Sequence, residues 1–177
     1  MWAKIAKYYP PWFEFIPLMV VIFTISITVI FYGRLPDTIP SHFGISGSPD
    51  AWGHKGMIIL LPALNCGIYL QLLLLNWFLI ISPEDPSKAA INLSAARKQK
   101  LGPERLEEIR SLTARLMWLL NTLTAMLFAV IVEATVKVSL GQQQGLGKEI
   151  WLILAALLIV VFIALIKTYQ LSRVPKN

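Results

Sequence analysis

The apolar residues of this chain lie in long, nearly uninterrupted blocks instead of alternating with polar residues. A soluble domain of this size would space its apolar residues so that each helix buries only one face. Four blocks, at about 13–33, 57–81, 113–138 and 149–168, approach the roughly 20 apolar residues that a bilayer-crossing helix needs. The pattern predicts an all-α membrane protein, a four-transmembrane-helix bundle that forms one polytopic domain over residues 1–177.

The distribution of basic residues predicts the orientation of the bundle. Most Lys and Arg residues lie at the two ends of the chain and in the loop 82–112, whereas Arg34, Lys55, Lys137 and Lys148 lie on the opposite side. The positive-inside rule places both termini and the 82–112 loop in the cytoplasm, and the 34–56 loop and the 139–148 turn outside the cell membrane. The net charge of +6 then fits anionic lipid headgroups and not nucleic acid. The basic residues on the cytoplasmic side are Lys4, Lys7, Lys88, Arg97, Lys98, Lys100, Arg105, Arg110, Arg115, Lys167, Arg173 and Lys176.

Two predicted spans carry a stripe of polar side chains on one face. Thr24, Thr28 and Tyr32 recur every four residues in the first span. The second span carries a similar face, formed by Asn65, Tyr69, Leu72 and Asn76. Polar groups that faced lipid would lack partners, so both stripes should face other helices. Interhelical hydrogen bonding explains them more simply than a polar path through the membrane.

The sequence predicts that the third span is part of one long helix from about 103 to 138. Pro103 suits the first position of that helix, and Glu104 suits the positive end of its dipole. Its first turns would project into the cytoplasm, where they and the basic 82–112 loop would meet a protein partner or pack on the chain itself. Glu133 and Lys137, four residues apart, fit either an intrahelical ion pair or a functional intramembrane site.

The segment LPDTIPSHFGISGSPDAWGHKG, at residues 35–56, is rich in turn formers and holds both histidines. Proline biases the preceding residue towards extended backbone, and Gly44 and Gly47 permit tight turns. The loop is therefore predicted to be an ordered extracytoplasmic structure, a short hairpin that lies on the ends of the helices.

The titratable residues of this loop raise the question of a metal site. His42, Asp50, His54 and Glu133 are ligand types that suit zinc or another divalent ion. Their spacing matches no close ligand motif, and structural hydrogen bonding of Asp37, Asp50 and the histidines is the simpler explanation. The single cysteine, Cys66, lies in an apolar block and offers neither a disulfide nor a thiolate site.

The same loop resembles a prokaryotic family. The pattern LPD-x-IP-x-HF, followed by a spaced Gly, Asp, Gly and Lys, is similar to the domain of unknown function at the N-terminus of SdpI-like immunity proteins. Gly44 stands where that family usually has Asn, and His54 is unusual at its position. The resemblance implies a structural or ligand-binding motif made of Pro36, Asp37, Pro40, His42, Phe43, Gly47, Asp50, Gly53 and Lys55.

Three functions follow from these features as hypotheses. The resemblance implies an immunity or receptor-like protein that binds a peptide or hydrophobic toxin at the outer loop. A metal-dependent enzyme at the outer leaflet is the second, although no HExxH, GxSxG or phosphate-loop motif is present and no catalytic residue is assigned. A small oligomeric transporter component, built as a homo-oligomer around the polar stripes, is the third. A purely structural role of the loop competes with all three.

Overall fold

The computed structural model describes residues 1–173 and confirms the all-α membrane class, with four helices long and apolar enough to cross a membrane. These four spans cover Pro11–Tyr32, Lys55–Ile81, Pro103–Ser139 and Lys148–Leu171. Lys176, one of the basic residues used to predict the orientation, lies outside the described residues. The elements in chain order are α1 (Trp2–Ile5), α2 (Phe15–Tyr32), β1 (Thr38–Phe43), β2 (Pro49–His54), α3 (Leu60–Leu75), α4 (Ala95–Lys100), α5 (Pro103–Ser139) and α6 (Lys148–Leu171).

Short helical turns extend two of the spans beyond their α-helical parts. A 3₁₀ turn at Pro11–Glu14 leads into α2, and another at Lys55–Ile59 leads into α3. At its other end α3 continues as a π-helical segment, Asn76–Ile81. Such segments are rare in proteins, and those that do occur often lie at functional sites.

The longest helix, α5, is the element against which the other three spans pack. The polar stripes point into these contacts, and Asn65 and Asn76 form the expected bonds to other helices, whereas Thr28 donates to a carbonyl of its own helix. The Asn65 amide donates to Thr24 Oγ1 at 3.1 Å and to the main-chain carbonyl of Ala125 at 3.4 Å, and thereby links α3 to both α2 and α5. Tyr32 differs from the rest of its stripe: it is half-buried and lies under the Lys55 ammonium, 6.0 Å from the ring centroid.

The first turns of α5 pack on the chain itself. Leu106 and Ile109 are buried together with Ala89, Ile91 and Leu101 of the segment that connects α3 to α5. This apolar cluster, with Leu171 of α6 against it, ties the connecting segment to the bundle. Of the two alternatives for these turns, the structure therefore supports packing against the chain's own loop.

Arg110 of α5 is buried against the end of the second span, although its neighbours on α5 include several charged residues. Its guanidinium donates to the main-chain carbonyls of Ile80, Ile81 and Pro83 at 2.6–2.7 Å. The last carbonyls of a helix have no partner within that helix, and a planar guanidinium can satisfy several of them at once. Arg110 therefore caps the π-helical segment from a different helix.

The last helix, α6, forms an apolar wall. Only Ile150 and Val160 are buried within it, and its remaining large apolar side chains are exposed or half-buried. In a bilayer such a surface meets acyl chains, in agreement with its uniformly apolar sequence.

Candidate functional site

The segment between the first two spans forms a β-hairpin, as the sequence predicted. Strands β1 and β2 pair antiparallel with Thr38 opposite His54, Ile39 opposite Gly53 and Pro40 opposite Trp52. The register then shifts between Pro40 and Phe43, so that β1 contains an irregularity beside His42. Gly47 closes the turn at a φ of 81°, a conformation that favours glycine. The hairpin thus has a defined register and a defined turn.

The hairpin is attached to the helices at two places. Ile39 is buried with Leu35, Ile58 and Val136, so that β1 packs on the residues that follow α2, on the 3₁₀ turn that precedes α3 and on the end of α5. The tip is held separately, because the main-chain carbonyl of Gly47 accepts a hydrogen bond of 2.7 Å from the Leu146 amide, just before α6. Two attachments fix the orientation of the whole hairpin relative to the bundle.

His42 and Asp50 form a close polar pair on the hairpin. His42 Nδ1 lies 2.5 Å from Asp50 Oδ1, while both side chains are more than half exposed, at 67% and 52%. Because the carboxylate faces Nδ1, it holds the imidazole ring in one orientation and favours the proton on that nitrogen. The other ring nitrogen, Nε2, then remains available as an acceptor when the ring is neutral.

A second ion pair lies at the base of the hairpin. Lys55 Nζ is 3.0 Å from Asp37 Oδ1, and the Asp37 main-chain carbonyl accepts from the Lys55 amide. The hydrogen bond and positive charge of Lys55 hold the pKa of Asp37 below its usual value. This pair joins the start of the hairpin to the start of the second span, and is thus a structural part of the motif.

The four residues that were considered as metal ligands do not form one group. His54 Nδ1 accepts from the Gly56 amide at 3.1 Å, and Glu133 pairs with Lys137 on its own helix at 2.6 Å. Of the candidates, the structure brings together only His42 and Asp50. Among residues 1–173, no three or more His, Cys, Asp or Glu side chains are placed to hold a metal ion.

The remaining motif residues differ in burial: Phe43 and Gly53 are half-buried, and Pro36 is exposed just before β1. Pro40 and Gly47 are buried. A Cβ on Gly53 would lie 2.6 Å from Met57 Sδ, and one on Gly44 would lie 2.8 Å from Asp50 Oδ2. The smallness of Gly44, which departs from the family pattern, therefore leaves room for the Asp50 carboxylate. The motif thus combines buried shape-forming positions with three exposed polar ones: Asp37, His42 and Asp50.

A polar network at the opposite end of the bundle was not predicted. Asn76 donates to Tyr9 Oη at 3.1 Å, and Tyr9 Oη donates to Glu14 Oε1 at 2.6 Å. The sequence places Glu14 beside an apolar block and Asn76 on a polar stripe, but nothing in it indicates that the N-terminal Tyr9 would join them. Only the tertiary fold, which returns residues 1–9 to the end of α3, creates this network.

The comparisons with known proteins agree with the hairpin motif. Residues 19–65 match the family model described as a domain of unknown function, DUF1648, the domain found in SdpI-like proteins. An uncharacterized protein of Archaeoglobus fulgidus is 47% identical over 32 residues, a segment that covers 18% of this chain and 18% of that protein. No solved structure matches the chain. The similarity therefore concerns α2, the hairpin and the start of α3, in a multi-pass helical protein.

Proposed function

We propose that this protein is an SdpI-like receptor or immunity protein that binds a peptide or hydrophobic toxin through the hairpin. The single observation that carries the proposal is the His42–Asp50 pair, which is exposed to solvent and yet fixed on a hairpin anchored at two places. An exposed pair contributes little to stability, so folding alone gives little reason for this arrangement. A fixed imidazole with one free nitrogen is instead suited to directional recognition of a ligand.

The neighbouring surface favours a ligand with apolar side chains. Trp52 is 56% exposed on β2, and Ile45 at the tip is 95% exposed. Large exposed apolar residues beside polar groups are typical of recognition surfaces, in which aromatic residues often supply much of the binding energy. A hydrophobic peptide would bury these side chains and donate or accept a hydrogen bond at His42.

The orientation that the basic residues predict agrees with this role. With both termini in the cytoplasm, the hairpin would face the exterior, where a secreted peptide arrives. The basic α4 would lie on the cytoplasmic side, where it would serve as the contact for a protein partner that reports binding. Residues Arg97, Lys98 and Lys100 all lie in this short helix.

The experiment is a protection assay in cells that lack their own immunity protein and are challenged with the toxic peptide against which SdpI-like proteins protect. The unaltered chain should protect, whereas His42→Ala and Asp50→Ala should lose protection at equal membrane abundance. Gln144→Ala, an exposed change in the neighbouring 140–147 turn, is the matched control. Protection by both hairpin variants at the parental level would refute recognition through the pair, and reduced abundance of both would assign the motif to folding.

A further inference from the structure

A cavity of about 200 Å³ lies at the end of the bundle remote from the hairpin, between the N-terminal segment and the end of α3. Its walls are almost entirely apolar and include Ile5, Leu73, Trp77 and Phe78. Three polar side chains also line it, namely Tyr9, Glu14 and Asn76. At about 30 Å³ for each water-sized group, the volume corresponds to roughly six or seven heavy atoms. The cavity is therefore large enough for a small headgroup and the first carbons of an alkyl chain.

The orientation of the Asn76 amide is fixed by its partners. Its nitrogen donates to the Ala114 carbonyl, which can only accept, and to Tyr9 Oη. The Tyr9 hydroxyl therefore donates its own hydrogen bond to Glu14 Oε1. Burial, followed by the bond to Glu14, raises the pKa of Tyr9 above its usual value, so this hydroxyl stays a donor at neutral pH.

In the part of the chain that the structure describes, the network leaves one amide oxygen without a donor and one carboxylate without a cation. Asn76 is 3% exposed, and its Oδ1 is buried with no hydrogen-bond partner within the described residues. No Lys, Arg or His of residues 1–173 lies within ion-pair distance of Glu14. A carboxylate inside a predicted span is costly unless it is paired, and an unpaired one is a candidate for function.

Among the residues described, Glu14 therefore lacks a cation, and a cationic hydrogen-bond donor in the cavity would complement the carboxylate best. The aromatic walls favour the same choice, because Trp and Tyr rings attract ammonium groups through their electron-rich faces. The apolar lining favours an alkyl group attached to that cation. We propose that this cavity binds the ammonium group of an amphiphilic alkylamine, with Glu14 as counter-ion and Trp77 beside the alkyl chain. The site is separate from the hairpin and does not depend on the function proposed for it.

The experiment compares three probes that share one chain and differ in headgroup: dodecylamine, dodecanol and dodecanoate. The protein is held in phosphatidylcholine nanodiscs at pH 7.5, where a primary amine is protonated. Bound probe is counted by native mass spectrometry at equal bilayer mole fractions. We expect dodecylamine to bind with an apparent Kd at least about tenfold below that of dodecanol, because a charge-assisted hydrogen bond is about twice as strong as a neutral one.

Glu14→Gln is the decisive variant, since an amide oxygen still accepts from Tyr9 while the charge is removed. It should abolish the preference for the amine over the alcohol. Glu108→Gln, which removes an exposed carboxylate from α5, should keep that preference. The probe series on the unaltered protein decides the question even if Glu14→Gln fails to accumulate. Equal binding of amine and alcohol, tighter binding of dodecanoate, or a preference that survives Glu14→Gln would overturn the proposal.

Discussion

Asn76, the first residue of the π-helical segment that continues α3, donates its side-chain amide to the main-chain carbonyl of Ala114 on α5, at 3.2 Å. Seven residues back along α3, the Tyr69 carbonyl accepts from Asn121, seven residues further along α5. Four residues further back, Asn65 donates to the Ala125 carbonyl, again four residues further along α5. Equal steps in opposite directions mean that three side-chain-to-carbonyl bonds fix a single antiparallel register. Steps of four and seven residues also keep all three bonds on one helix face.

Asn65, which bonds to both α2 and α5, should therefore stabilise the bundle measurably. We expect Asn65→Ala to lower the free energy of unfolding by about 1–2 kcal/mol, since interhelical hydrogen bonds in membranes contribute about 0.6–1.7 kcal/mol and some packing is also lost. Reversible unfolding in mixed detergent micelles measures the change. Asn92→Ala, in the exposed part of the connecting segment, is the control and should have little effect. A loss no larger than that of the control would show that the register is set by apolar packing alone.

Arg110 should be more important for stability than any other charged residue of the α5 N-terminal turns. We expect Arg110→Met to lower the free energy of unfolding by about 2–3 kcal/mol, because three carbonyls at the end of the second span lose their donor. Arg110→Lys should retain less than half of the stability that Arg110→Met loses, since one ammonium lacks the planar fork of a guanidinium.

The same unfolding experiment supplies the control for Arg110. Arg105→Met removes an exposed guanidinium that, among residues 1–173, pairs only with Glu108 on the same helix, and it should change stability by less than about 0.5 kcal/mol. Similar losses from the two variants would contradict the capping role of Arg110.

The Asp37–Lys55 pair should be visible in a titration. The pKa of Asp37 lies below its usual value because Lys55 bonds and attracts the carboxylate. The pair therefore stabilises the fold above the ordinary pKa of an Asp, and that contribution is lost as the pH falls through the depressed pKa. We expect Lys55→Met to return the Asp37 pKa towards its ordinary value, measured by carboxyl ¹³C NMR.

Asp85 provides an internal reference for that titration. Its pKa is also lowered, but by hydrogen bonds from Ser87 in the segment that connects α3 to α5. Lys55→Met should leave the Asp85 pKa unchanged. An unchanged Asp37 pKa in the same sample would mean that the pair does not persist in solution.

The features that follow from composition were predictable, and those that depend on register were not. Long apolar blocks specify spans because no other structure satisfies their backbone in lipid, and the glycines and prolines of 35–56 specify an ordered turn. Which carboxylate meets which cation depends on the hairpin register and on the irregularity between Pro40 and Phe43. The sequence therefore left His42, Asp50, His54 and Glu133 as one candidate group, whereas in the structure Asp50 pairs with His42 and Asp37 pairs with Lys55.

The capping of the second span by the buried Arg110 could not be predicted from the sequence, for a different reason. Its neighbours Glu107 and Glu108 make it look like one member of an exposed, charged helix face. Its burial arises only because the end of the second span lies against α5, a contact between residues about 30 positions apart. The π-helical form of residues 76–81 likewise has no signature in an apolar sequence.

The absence of a side chain at position 44 should be necessary for the geometry of the His42–Asp50 pair. We expect Gly44→Ala to displace the Asp50 carboxylate, because the new Cβ would lie 2.8 Å from Oδ2. The result would be a changed His42 Nδ1 chemical shift in ¹⁵N NMR. Gly33→Ala, where no non-neighbouring atom of the described part of the chain lies within 4 Å of the added Cβ, is the matched control. An unchanged His42 signal in Gly44→Ala would show that Asp50 has enough freedom to keep the pair.

The proposed orientation can be tested by labelling cysteines in intact cells. In a Cys66→Ser background, Ser46→Cys places a thiol at the hairpin tip, and Asn92→Cys places one in the segment that connects α3 to α5; both positions are exposed. A membrane-impermeant maleimide should label position 46 in intact cells and position 92 only after permeabilisation, because the basic residues favour the cytoplasmic side for the connecting segment. The reverse pattern would place the hairpin in the cytoplasm, and recognition of an external peptide by His42 would then be impossible.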